Sequence, residues 1–336
     1  MRQALAPLAG ALAGLVFGGL LMALSGVDPL VGYAALVRGS LGGIRPLTET
    51  VLKATPMLIM ALGLIIAFRC RIWNIGGEGQ YFAGALAGAA VGLFGQRYFA
   101  TWLLIPLMLL AGVAGGAAWA GLAAWLRLRF RVNEIIATIM LNFVAMYAVA
   151  YLARGPLRDP TGYLPQSARL DAAARLPTWP GTRLHLGVAL AVLLVPAVWL
   201  LLWRTTLGFR LRSIGSSASV ARAVGMNVPA GVAIAFLASG AFAGLCGVIE
   251  VSALHARLKD GISGDYGFTG ILVALLARLH PVGATLAALF FAVLTIGTQS
   301  MHSVMGLPIA LAQVLQVTII LLVLVADALA RRWWPA

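Results

Sequence analysis

Charge is what this sequence has least of. Only 10% of its 336 residues are charged and just ten are acidic, where a soluble domain carries about 25% charged residues. Hydrophobic residues make up 61%, and mean hydropathy is +0.96. That composition leaves no room for a soluble catalytic domain and fits a polytopic helical membrane protein with short loops. The two cysteines, Cys70 and Cys246, offer neither a disulfide framework nor metal-ligand spacing. There is no Gly-x-x-x-x-Gly-Lys-Ser/Thr phosphate loop, so the chain does not itself hydrolyse ATP. Nor does any His/Cys cluster, Ser/His/Asp set or His-Glu-x-x-His pair point to catalysis. Acids inside apolar stretches are too scattered for an obvious proton relay. The net charge of +14 is mostly arginine in loops and at span ends. Such residues orient a membrane protein and form no nucleic-acid face.

What is present begins with apolar runs near the 20 residues that a bilayer requires. Ten spans are expected, at 5–24, 48–67, 81–94, 101–126, 134–153, 186–203, 228–252, 268–277, 282–301 and 309–330. The fold class is therefore an all-α transmembrane bundle, a single domain over 1–336. The first run lacks a small-residue cleavage pattern and reads as a retained span. The third and eighth are short, the mark of discontinuous helices. With the N-terminus inside, thirteen of the 24 Lys and Arg fall on the cytoplasmic side, among them the tight groups Arg69/Arg71 and Arg127/Arg129/Arg131. Both termini are expected in the cytoplasm. The terminal Arg331-Arg332-Trp333-Trp334 reads as an interfacial anchor.

The chain is organised around Phe68 to Gln80, between the apolar runs 51–67 and 81–94. Asn74, Glu78 and Gln80 place two amides and a carboxylate where hydrocarbon is expected. Gly76, Gly77 and Gly79 weaken the helix that would hide the backbone polar groups. A charge at membrane depth costs at least ~2.5 kcal/mol on insertion scales and so faces protein or water. Irregular backbone is tolerated there under the same condition. The segment either lies inside the bundle beside a path, or is a cytoplasmic turn with its polar groups solvated.

Other stretches carry weaker signals. Residues 154–185 form the longest loop, punctuated by five prolines, and read as an ordered, mostly non-helical cap with one short helix at 171–176. In 204–227, Ser217 is a good N-cap and Gly225 a natural stop. The helix between them is too short to stand alone. It packs on its own bundle, on a partner, or along the membrane surface. Glu134 and Asn142 lie eight residues apart near one helix face. The former suits the helix dipole, and the latter either lines a path or glues two helices. Glu250, Ser252, His255, Arg257, Lys259 and Asp260 form a polar rim, followed by a Gly-punctuated run into the short eighth span.

Taken together, these motifs resemble a known family. Phe68 with Asn74-Ile75-Gly76-Gly77-Glu78-Gly79-Gln80 is similar to the "F…FNIGxEGQ" signature of permease subunits of ATP-binding-cassette importers for nucleosides and simple sugars. These sit within the wider ribose and branched-chain amino-acid permease family. Glu134-Ile135-Ile136-Ala137-Thr138-Ile139-Met140-Leu141-Asn142 resembles its "EIxxTxMLN" segment. Gly155-Pro156-Leu157 and Leu164-Pro165-Gln166-Ser167 resemble its outer loop, and Thr206 to Asn227 its coupling-helix stretch. Asp265 to Leu276 resembles its "GYGFxGIAVALLG" element. Departures are Ala277 and Ala292 where glycine is expected, and Trp73 for Phe.

The resemblance implies half of a translocation pathway, moving its substrate unchanged, with no enzymatic activity and no cofactor bound by this chain. Implied partners are a second homologous permease, ABC ATPase subunits, and an extracytoplasmic binding protein or lipoprotein, all in a lipid membrane. The substrate path would involve Asn74, Glu78, Gln80, Asn142, Tyr266 and Phe268. ATPase coupling would involve Arg212, Ser217, Ala221, Arg222 and Gly225. One rival is a stand-alone secondary transporter coupling a proton through Glu78 or Glu134. A further one is a membrane enzyme acting on lipid.

Overall fold

The structure is a computed structural model that describes residues 2–306 and 308–333. Its helices are α1 (Arg2–Leu24), α2 (Pro29–Leu41), α3 (Ile44–Arg69), α4 (Gly77–Phe94), α5 (Thr101–Phe130), α6 (Glu134–Arg154) and α7 (Leu186–Arg204). They continue as α8 (Thr206–Ser216), α9 (Ala218–Ala223), α10 (Val228–Glu250), α11 (Tyr266–Leu276), α12 (Pro281–Met305) and α13 (Ile309–Trp333). No strand forms among the described residues. Among the described residues seven helices, α3, α5, α6, α7, α10, α12 and α13, are long and apolar enough to cross a membrane. Helices α1 and α2 form a pair bent by 120°. The expected short spans are α4, in which Glu78, Gln80 and five glycines interrupt the hydrocarbon character, and α11, which has only 11 residues. Trp334 lies outside the described residues, as do the side chains of Arg331 and Trp333.

Two helices go beyond the sequence reading. Helix α2 begins where Asp28 accepts from Leu30 N–H at 2.8 Å and Pro29 takes the first position, an arrangement that suits a helix start. Helix α8 precedes the expected short helix, capped by Thr205, whose Oγ1 accepts from Gly208 N–H at 3.1 Å.

The chain forms two compact units. One holds Met1–Ala54, Thr182–Leu184 and Ala287–Ala336. Here α1 lies close along α13, because Gly10 and Gly14 bring its backbone onto Val323 and Ile319. Met22, Leu36, Met301 and Leu315 fill its core, and Arg183 pairs with Glu49 at 3.2 Å.

The other unit holds Thr55–Gly181 and His185–Leu286. Its centre is α4, α5 and α10 in close contact. A Cβ at Gly84 would fall 2.2 Å from Gly244 Cα, and one at Gly116 would fall 2.2 Å from Gly240 O. Small residues at such crossings let backbones approach where lipid supplies no hydrophobic drive.

At one end of this unit, residues 155–181 and 256–265 knit into the expected cap. Ser167 N–H donates to Leu258 O at 2.8 Å, Leu170 N–H to Ala256 O at 2.8 Å, and Ser252 Oγ to Ala174 O at 2.7 Å. The short helix is a single 3-10 turn, Ala172–Ala174. Arg154 pairs with Asp260, and Arg257 with Asp159 at 2.6 Å. The Arg257 and Thr161 hydrogen bonds hold the Asp159 carboxyl down at about 2. His185 caps α7 by accepting from Gly187 N–H, and burial pushes its imidazole down to about 4, so it stays neutral.

Helix α7 separates this cap from α8 and α9 by its 19 residues, about 28 Å of rise. Tyr163, fully exposed in the cap, and the exposed Ser216 therefore lie on opposite sides of the membrane. With cytoplasmic termini, Tyr163→Cys reacts with an impermeant maleimide from outside and Ser216→Cys only after permeabilisation. Reversed labelling would invert the orientation, and labelling of both from one side would contradict the helix path.

Candidate functional site

The end of α3 sets the site. After Arg69 the chain makes a tight turn, with Cys70 and Ile72 N–H groups bonded to Ala67 O at 3.0 Å and Arg71 in the left-handed region. It then runs irregularly to Gly76 before α4 starts. Helix α4 begins beside Met60 of α3 and runs toward the cap, where Gly92 adjoins Leu170. Met60 lies nine residues before the end of α3, about 13 Å of helical rise. The break is therefore deep in the unit rather than at its margin.

Buried amides supply the partners that the broken helix has lost. Asn74, fully buried, accepts from Gly76 N–H at 3.0 Å and from Gln80 Nε2 at 2.9 Å. Its own Nδ2 donates to Gln80 Oε1 at 2.9 Å and to Ser239 Oγ at 3.0 Å. All four of its hydrogen-bonding positions are used. Asn142, from α6, accepts from Gly79 N–H at 2.8 Å and donates to Ile75 O at 2.9 Å. Gly79 N–H is one of the first-turn donors that a helix cannot satisfy internally, and Asn142 satisfies it.

Helix α11 approaches the same place from the other direction. It starts at Tyr266, runs beside α3 with Gly270 against Met60, and ends where Arg69 donates to Leu279 O at 3.0 Å. Its 11 residues span about 16 Å, half of a hydrocarbon core of about 30 Å. The first turns of α4 and α11 thus meet. Neither the Gly76 nor the Asp265 N-cap provides a side-chain cap. Glu78 supplies one: its Oε2 accepts from Gly267 N–H at 2.8 Å. Each helix N-terminus carries roughly half a positive charge, and the carboxylate stands between two of them. Close approach requires glycine here, since a Cβ at Gly267 would fall 2.4 Å from Glu78 N. Burial of Glu78 is nearly complete, at 7% exposure.

The expected path residues are therefore brought together, though not as a row facing open space. Asn74, Gln80 and Asn142 point into the fold and hold the break. Glu78 holds the junction. Tyr266 is buried, with its ring centroid 6.3 Å from that of Tyr81. Phe268 alone of the six is exposed, at 44%. Glu134 forms an ion pair with Arg127 at 2.8 Å in the first turn of α6, the structural role open to it. Ser239 and Tyr81 belong to the site and were not singled out by sequence; a lone hydroxyl in the apolar run of α10 gives no periodic signal.

The expected coupling residues lie on α8 and α9, outside the spans. Ser217 caps α9, its Oγ accepting from Val220 N–H at 3.4 Å, and Gly225 ends it with φ +82°. Ala221 is buried at 2% and faces its own bundle, whereas Arg222, Ala223 and Val224 are exposed. Arg212 turns toward Trp203 at the end of α7, its guanidinium 5.9 Å from the ring centroid.

Glu78 gives a direct test. Glu78→Gln keeps an acceptor for Gly267 N–H and removes the charge, so the chain folds while transport falls strongly. Glu78→Leu also orphans a buried N–H, which costs about 1–3 kcal/mol and lowers the thermal midpoint. Normal uptake by Glu78→Gln would return the segment to a plain turn, and its failure to fold would make the charge structural.

Comparison with known proteins places this architecture. A family described as "Branched-chain amino acid transport system / permease component" matches residues 46–324. The chain is 37% identical to a glucose ABC transporter permease protein of Haloferax volcanii, over 97% of this chain and 88% of that protein. It is 35% identical to a guanosine ABC transporter permease protein of Bacillus subtilis, over 96% and 93%. A nucleoside ABC transporter permease protein of Lactococcus lactis is 28% identical, over 96% and 91%. The chain belongs to this permease family of ABC transporters and is a transport component rather than an enzyme.

Proposed function

We propose that the chain forms half of the translocation pathway of an ABC importer for nucleosides or simple sugars. It pairs with a second homologous permease, is driven by ABC ATPase subunits, and receives substrate from an extracytoplasmic binding protein or lipoprotein at the cap. Both termini are cytoplasmic, in the cell membrane, and ATP is consumed by the partner rather than by any cofactor of this chain. The substrate class follows the glucose, guanosine and nucleoside permeases that the chain resembles. The junction of α4 and α11 borders the path. Glu78, Asn74, Gln80 and Asn142 hold it together, while Phe268 presents the exposed side chain.

The observation that carries this reading is the α8–α9 pair. It lies outside the spans, is capped at each start, and leaves Phe209, Val220 and Val224 exposed at 56%, 61% and 67%. A transporter driven by an ion gradient has no need of such an element, whereas an ATPase must push on something.

Ala223 is the position to test. It is exposed on α9, so Ala223→Glu leaves the bundle intact and sets a bulky charge in the docking face. Substrate-stimulated ATP hydrolysis should fall at least ten-fold and ATPase co-purification should weaken. Ala221→Glu is the wrong probe, because its side chain is buried and the charge would disrupt α9 itself. Full ATP-coupled uptake by Ala223→Glu would sink the docking role and revive the stand-alone transporter.

A further inference from the structure

Arg69 joins more elements than any sequence motif assigns to it. It closes α3, and its Nε and Nη2 donate to Leu279 O at 3.1 and 3.0 Å, with Nη2 also 3.5 Å from Arg278 O. Those two carbonyls belong to the turn between α11 and α12. Both Arg278 and Leu279 are left-handed, at φ 52° and 55°, without being glycine. Such conformations persist only where the surroundings over-determine them. A forked guanidinium bound through two nitrogens to one carbonyl is that kind of constraint.

The same guanidinium lies 5.1 Å from the ring centroid of Trp203, at the end of α7. Arg212 of α8 lies 5.9 Å from that ring, and His280, next to Leu279, lies 5.4 Å from it. Arg212 Nε is buried with no hydrogen-bond partner, and the indole face that its guanidinium shares with Arg69 attracts both cations. The backbones also touch: a Cβ at Gly215 of α8 would fall 2.0 Å from Arg69 O. Helix α8 is thus in contact, through one indole and one arginine, with the strained turn that ends α11. The other end of α11 is the Gly267 N–H held by Glu78.

We propose that Arg69, Trp203 and Arg212 are positioning residues that convert movement of α8 into movement of the half-helix α11. This rests on the reading that α8 and α9 receive the ATPase. When α8 is displaced, Arg212 and Trp203 shift and Arg69 loses its grip on Leu279 O. The left-handed turn then relaxes, and α11, a rigid element of three turns, moves at its junction with Glu78. Substrate movement is thereby tied to ATP hydrolysis.

The test uses the complete importer reconstituted in vesicles, with substrate moved per ATP hydrolysed as the readout. Trp203→Ala should lower that ratio at least five-fold while the ATPase still co-purifies and ATP is still hydrolysed. Trp203→Phe, which restores a ring face, should recover most of it. Arg69→Lys keeps the charge but loses the fork, and should lower the ratio at least three-fold; it decides the matter if the Trp203→Ala permease itself does not fold. A ratio within two-fold of the wild type in Arg69→Lys would overturn the proposal. So would loss of the ATPase from the Trp203→Ala complex, or equal damage by Trp203→Phe, since either makes the ring merely structural. If Ala223→Glu leaves coupling intact, the docking reading itself fails, a result separate from retained docking with a lowered ratio.

Discussion

A helix broken at membrane depth exposes backbone N–H groups that lipid cannot satisfy. The second unit is built around meeting that demand. Two helices start at the same depth and point away from each other, so two sets of first-turn donors and two positive dipole ends converge. A single carboxylate, Glu78, serves both: it sits in the first turn of α4 and accepts from Gly267 N–H in the first turn of α11. Asn142 and the Asn74–Gln80 amide pair complete the connection to α6 and, through Ser239, to α10. Glu78 and Asn142 bond backbone groups, while Asn74 spends one bond on Gly76 N–H and the rest on Gln80 and Ser239.

That commitment changes what the polar residues do. Amides in a membrane segment invite the reading that they grip the substrate. Here Asn74 and Asn142 satisfy backbone groups of the broken helix and Gln80 holds Asn74, so under the proposed function the side chain left to face the substrate is the exposed Phe268. The glycines follow from the same requirement. Gly77, Gly79 and Gly267 let three chain segments approach within contact distance of backbone atoms. In α4, α5 and α10 they bring the supporting helices close enough to fix that junction.

Much of this was legible in the sequence, because polar and glycine residues stand out against an apolar background. The break at Asn74–Gln80, the face shared by Glu134 and Asn142, the cap, and the start and stop of α9 at Ser217 and Gly225 are all local signals. The rest was hidden for physical reasons. Glu78 and Gly267 are 189 residues apart, and nothing local pairs them. Ser239 is one hydroxyl in an apolar helix. A six-residue helix has too few turns to show that Ala221 faces inward while Ala223 faces out. Helix α2, which Asp28 and Pro29 start, falls between the expected first and second spans, where no long apolar run announces it. Arg69 reads as an orienting charge until the fold places Leu279 and Trp203 beside it.

The central claim is that the meeting of α4 and α11 borders the aqueous path. Phe268→Cys tests it most directly, since both native cysteines are buried and contribute little background. In the assembled importer, a charged thiol reagent should modify this cysteine, and an excess of transported nucleoside or sugar should slow the reaction at least five-fold. Modification only by an apolar reagent, at a rate indifferent to substrate, would place Phe268 against lipid and contradict the account.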